Sequence, residues 1–97
     1  MASYIALLQL TDQGVRNVKE TTKRAATLTE MGSRMGVKIA DIFWTLGPYD
    51  GVVIAEAPDD ETMTAFTLKT SSFGNVKTQT LRAFRANEMD QILGRVK

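Results

Sequence analysis

Trp44-Thr45-Leu46-Gly47-Pro48-Tyr49-Asp50-Gly51-Val52-Val53 is the stretch whose reading decides the fold. Two apolar, strand-like segments meet in a Gly-Pro step followed by Asp-Gly. Proline fixes its own φ, and glycine accepts backbone conformations that other residues resist, so this combination is strong turn chemistry. The segments on either side therefore form a β-hairpin with Tyr49 and Asp50 at its tip. Upstream, Lys38 to Leu46 alternates as a strand does, with Lys38, Ala40, Ile42, Trp44 and Leu46 on one face and Ile39, Asp41, Phe43 and Thr45 on the other. Downstream, Gly51 to Ala57 supplies the second strand.

Working outward, Tyr4 to Leu10 is almost entirely apolar and reads as a strand buried on both faces. Thr11-Asp12-Gln13-Gly14 offers side-chain oxygens suited to capping a helix start. Val15 and Val18, then Ala25, Leu28, Met31 and Met35, step at helical spacing. Thr21-Thr22 marks a break between a short turn and the main helix, and Gly36 suits the position just past that helix's end. Pro58-Asp59-Asp60-Glu61 opens a second helix with carboxylates where the helix dipole is positive. That helix carries Met63, Phe66 and Leu68 and ends at Ser72 or Phe73, with Gly74 as its cap. Val76 to Arg85 reads as a fourth strand, and Asn87 to Val96 as a terminal helix with Met89, Ile92, Leu93 and Val96 on one side. The order βαββαβ plus a terminal helix predicts an α+β, ferredoxin-like single domain over residues 1–97, with a four-stranded antiparallel sheet and both main helices on one face.

The strands place apolar residues on both faces: Tyr4, Ala6, Leu8 and Leu10 against Ile5 and Leu7, Ile39 and Phe43 against Ile42 and Trp44, Val53 and Ala55 against Val52 and Ile54. A sheet apolar on both sides is covered on both sides. The helices suffice for one. The other is expected to be covered by a second copy, sheet against sheet, making the protein a homo-oligomer, or else by the terminal helix folded back.

Composition removes several kinds of chemistry. The chain has no cysteine and no histidine, so disulfides, thiolate catalysis, the usual structural zinc sites and the commonest general base are absent. Neither a metal nor a cofactor is expected. Twelve basic and eleven acidic residues give a net charge of +1, which makes no field for nucleic acid or anionic lipid. RNA-recognition domains share the expected topology, but they stack bases on exposed aromatics in a basic surface; here Phe43 stands alone on its face of the second strand, and no nucleic-acid partner is expected. No apolar run approaches the ~20 residues needed to cross a bilayer. The opening Met-Ala-Ser-Tyr lacks a basic region ahead of its apolar run, so neither membrane association nor secretion is expected, and the cytoplasm is the expected location.

Five residues are candidates for a ligand pocket: Asp12, Trp44, Tyr49, Asp50 and Arg82. Tyr49 and Asp50 either meet a ligand at the hairpin tip, or Asp50 ties down turn amides while Tyr49 packs on the sheet edge. Trp44 lines a pocket or buries its large ring in a core or interface. Asp12 caps a helix or, with Asn17, faces a cavity between the first strand and the first helix. Arg82, among apolar neighbours, clamps a carboxylate ligand or pairs with Asp41 or Glu56.

Several segments together resemble the GYD-domain family of small, functionally uncharacterised proteins. They are Thr11-Asp12-Gln13-Gly14 with Asn17-Val18-Lys19 and Arg24, Phe43 through Asp50 with Val52-Val53, Glu56 through Glu61, and Gly74 through Phe84. Here Pro48 separates Gly47 from Tyr49, so the name motif is Gly-x-Tyr-Asp, and Lys23 stands where many relatives are expected to have proline. The resemblance implies a fold similar to the dimeric α+β barrel proteins and brings no established activity or catalytic residues. Two functions stay open. One is an oligomeric interaction or small-ligand-binding module. The other is a cofactor-independent enzyme acting on a small apolar substrate, with Asp50 or Asp12 as base, Tyr49 as proton donor and Arg82 as anion clamp.

Overall fold

Strand β1 (Ala2–Leu10) lies inside the sheet because both of its edges are used: it pairs antiparallel with β3 (Gly51–Ala57) on one side and with β4 (Val76–Ala83) on the other. Strand β2 (Lys38–Trp44) adds antiparallel to the far edge of β3, giving the order β2-β3-β1-β4. The helices are α1 (Asp12–Arg16), α2 (Thr21–Met35), α3 (Asp60–Ser72) and α4 (Ala86–Leu93), with a single 3-10 turn at Val18–Glu20 between α1 and α2. This computed structural model describes residues 1–96.

The break expected at Thr21 is real. Helix α1 stops at Arg16, the Asn17 carbonyl accepts from the Glu20 amide, and α2 starts afresh at Thr21. Gly36 ends α2 in the left-handed conformation, φ 87°, which only glycine adopts without cost. Asp59 caps α3 by accepting from the Thr62 amide at 2.8 Å. Hydrogen bonding from the Thr62 side chain, and then from its amide, favours the charged carboxylate and holds the Asp59 pKa below its usual value.

One face of the sheet carries the core. Tyr4, Ala6, Val53, Ala55 and Ala57 are buried against Met31 and Val37 beside them and against Met63 and Phe66 of α3. Alanine at three of the five strand positions lets the helices approach closely, and the long Met and Phe side chains fill the space between. The Tyr4 hydroxyl, buried in this layer, donates to Asp60 Oδ1 at 2.5 Å. Leu68, which the helix carries as expected, is exposed. It lies two residues beyond Phe66, about 200° around the helix, while the inward positions go to Thr67 and Thr70. Their hydroxyls donate to the Met63 and Phe66 carbonyls.

The register of β2 differs from simple alternation. Ile39 faces Ala55 and Asp41 faces Ile54, so a bulge leaves Ala40 without a partner. One extra residue reverses the face of everything before it. Ile39 therefore joins Ile42 against the core instead of lying with Phe43. Strand β4 stops at Ala83, opposite Ser3, because the chain turns there into α4, whose N-cap is Arg85. Strand β2 stops at Trp44, and Leu46 is fully exposed in the loop.

The opposite face remains apolar and bare. Pairing places Ile5 and Leu7 of β1, Val52 and Ile54 of β3, Phe43 of β2 and Leu81 of β4 together there. Phe43 and Leu81 are 51% and 50% exposed. Helix α4 does not cover them, since it makes no substantial packing contact with any strand, and its own apolar residues Met89 and Leu93 are exposed.

The turns at one end are clamped together. The Thr11 amide donates to the Asn75 carbonyl, the Thr11 hydroxyl to the Gly74 carbonyl and Gln13 Nε2 to the Phe73 carbonyl. A Cβ on Gly14 would lie 2.0 Å from the Asn75 carbonyl oxygen. Alanine in a helix normally gains up to about 1 kcal/mol over glycine, but here the clash wins. Gly14→Ala should lose about 1–3 kcal/mol, read as a lower urea midpoint with an unchanged slope. A raised midpoint would refute the close contact.

Candidate functional site

Helices α2 and α3 are packed onto the sheet at one end and stand off it at the other. Met31, Met63 and Phe66 fill the end nearest Tyr4 and Ala57. Towards the hairpin, the first turns of α2 and the last turn of α3 leave a cleft of about 420 Å³, within the range of small-molecule sites. Leu8, Leu28, Ile42, Trp44, Phe73 and Val76 form much of its wall. A second, polar cleft of about 530 Å³ lies around the β1–α1 turn, between Gln9, Asp12, Gln13, Asp50 and Lys77.

Trp44 and Asp50 both line the apolar cleft. The Trp44 ring, 53% exposed, is anchored by its Nε1, which donates to Thr21 Oγ1 at 3.0 Å. Asp50 is held from two directions: its amide donates to the Leu8 carbonyl at 2.7 Å, and its Oδ2 accepts from the Leu10 amide at 2.8 Å. It thus ties the hairpin loop to the end of β1 rather than bonding amides of its own turn. Asp12 meets Asp50 only at the polar cleft. It is the first residue of α1, whereas the capping side chain is Thr11, whose Oγ1 accepts from the Gly14 amide.

Tyr49 and Arg82 lie outside both clefts. The loop carrying Tyr49 crosses the end of the sheet on its bare side: the Tyr49 hydroxyl donates to Gln79 Oε1 at 2.8 Å and Gln9 Nε2 to the Pro48 carbonyl at 3.0 Å. Arg82 sits at the opposite end of the fold. Its guanidinium stacks over the rings of Phe84 and Tyr4, 4.5 and 5.6 Å from their centroids, and its Nη2 lies 3.9 Å from Glu88 of α4. Neither Asp41 nor Glu56 pairs with it, because β4 borders only β1; Glu56 lies 4.0 Å from Lys38 instead. Tyr49, Asp50, Asp12 and Arg82 therefore do not converge on one cavity.

Arg24, beside that apolar wall, was not singled out from the sequence as a site residue. Its Nη1 donates to the Asn17 carbonyl at 2.8 Å, while its Nη2 is buried without a hydrogen-bond partner. The legible signal was position: Arg24 is four residues before Leu28 and three after Thr21, on the inward stripe of α2. Among the described residues, no group of three or more His, Cys, Asp or Glu could hold a metal ion, and no helix is long and apolar enough to cross a membrane.

Comparison with known proteins places these features in a lineage. The sequence model of the GYD domain matches residues 4–93. A Thermus thermophilus protein described as a glutamine synthetase and cystathionine beta-lyase binding protein is 36% identical over 84 residues, covering 86% of this chain and 88% of that protein. A crystal structure from Thermus thermophilus superposes with a TM-score of 0.59 at 25% identity, covering 89% of this chain and 96% of the other.

Two substitutions test these contacts. Asp50→Ala should cost about 1 kcal/mol by stranding the Leu10 amide, whereas Asp50→Asn keeps an acceptor and should cost less; equal urea midpoints for all three proteins would contradict the geometry. The Tyr4 hydroxyl is pushed up from 10.0 to about 12, first by burial and then by its bond to Asp60. A raised folded-state value favours the protonated form, so this stabilisation is complete below pH 10 and lost as pH climbs towards 12. Unfolding titrations from pH 9 to 12 should fall more steeply for the native protein than for Tyr4→Phe, and parallel curves would refute the effect.

Proposed function

This chain belongs to the GYD-domain family, and from that premise we propose that it is a self-associating interaction module that docks onto metabolic enzymes. The observation that carries the reading is the bare apolar face: Ile5, Leu7, Val52, Ile54, Phe43 and Leu81 form a continuous surface on the side of the sheet that no helix covers. Such a surface is costly to leave in water. A second copy placed sheet to sheet is the simplest cover, because the same patch then serves both partners. The strand order β2-β3-β1-β4 with the main helices on the other face supports a ferredoxin-like reading, similar to the dimeric α+β barrels. The exposed apolar residues of α4 offer a second contact surface.

The docking role draws on the Thermus thermophilus relative, whose description names glutamine synthetase and cystathionine beta-lyase as what it binds. The same two enzymes are the first partners to try here. The geometry lends less to a cofactor-independent enzyme, since Asp50 is committed to the Leu10 amide and neither Tyr49 nor Arg82 reaches the clefts.

Light scattering should give a mass that is a multiple of 10.7 kDa. Phe43→Asp, at a half-exposed position, should reduce it to the single-chain value without loss of helical signal. A native protein that is already monomeric would remove the self-association reading. Calorimetric titration with purified glutamine synthetase and cystathionine β-lyase from the same source should give a saturable complex with at least one; no complex with either would remove the docking role.

A further inference from the structure

We propose that the apolar cleft beneath α2 and α3 binds a monocarboxylate with an apolar body, of the medium-chain fatty acid type, with its carboxylate received by Arg24. Most of the cleft lies on the opposite side of the sheet from the bare face, with Phe43 of β2 bordering both, so occupancy and self-association are read separately.

The argument rests on which polar groups around the cleft are already satisfied. Thr21 Oγ1 accepts from Trp44, the Thr27 and Thr70 hydroxyls donate to the Lys23 and Phe66 carbonyls, and Asn75 Oδ1 accepts from Gln13. Asp50 Oδ2 accepts from the Leu10 amide. Arg24 is the exception. Its Nη1 bond to the Asn17 carbonyl fixes one end of the guanidinium, and Nη2 is left buried and unpaired. Among the described residues no carboxylate lies within salt-bridge distance of it. A charged donor taken out of water with no acceptor is costly, and a carboxylate is the acceptor that best fits its planar fork.

The rest of the wall sets the body of the ligand. Leu8, Leu28, Ile42, Phe73 and Val76 offer hydrocarbon and no hydrogen-bonding side chain, so a flexible or flat apolar group is preferred to a sugar or nucleotide. Asp50 on the same lining carries a negative charge, which opposes a second carboxylate on the ligand. One acid group and an apolar tail satisfy all of these conditions.

Trp44 is the single tryptophan of the chain and lines the cleft, so its emission reports on occupancy directly. Decanoate and 1-decanol share a chain and differ at the head group. Titrated into the native protein, decanoate should shift Trp44 emission saturably and bind at least about tenfold more tightly than 1-decanol, with calorimetry as the second readout. Arg24→Gln should erase that preference while leaving the alcohol's affinity unchanged, and Ala25→Leu, which narrows the cleft, should weaken both probes. Absence of saturable decanoate binding, or equal affinity for the two probes, would overturn the proposal. That comparison needs no variant, so it stands even if Arg24→Gln does not fold. Light scattering on the same samples separates failure of this site from failure of self-association.

Discussion

Everything in this structure follows from β1 having apolar side chains on both of its faces while the chain supplies one layer of helix. Tyr4, Ala6 and Leu8 turn towards α2 and α3; Ile5 and Leu7 turn the other way. Because β1 is hydrogen-bonded along both edges, it cannot rotate to hide the second set. Burial of the first set stabilises the monomer, and the second set is left facing solvent by the same alternation. The folded chain and its bare apolar face are two results of one strand.

The helical layer is itself divided. At one end alanines bring the helices down onto the sheet; at the other, Leu8 and Ile42 touch the core on one side and line the cleft on the other, beside Trp44. The division lies within single helices: Met31 of α2 is buried where the cleft closes against the core, while Arg24, two turns earlier, lies on its wall. Rigidity and access are thus provided by the same two elements, and the cleft is held in shape by a core that lies beside it rather than around it.

Much of this was legible in the chain. The Gly47-Pro48 and Asp50-Gly51 steps gave the hairpin, Pro58-Asp59-Asp60 the start of α3, and the Thr21 break and Gly36 the limits of α2. The bulge at Ala40 was not legible, because nothing in Lys38-Ile39-Ala40-Asp41 distinguishes plain alternation from alternation with one residue added. For the site, residue type pointed to Tyr49, Asp50 and Arg82, yet tertiary hydrogen bonds and stacking occupy all three. Arg24 was readable only as a charge on an apolar stripe, and its unpaired nitrogen depends on where the Asn17 carbonyl falls in three dimensions.

The bulge in β2 has a consequence for how this molecule meets other strands. An edge strand with regular spacing is a template onto which another chain can add, and repeated addition has no natural stopping point. The edge of β2 has its spacing interrupted at Ala40, between exposed Lys38 and Asp41. A strand approaching from the side finds hydrogen-bonding groups out of step and two charges flanking the gap. Lateral growth into ribbons or fibres is discouraged at that edge, while the flat of the sheet keeps its apolar side chains in regular alternation.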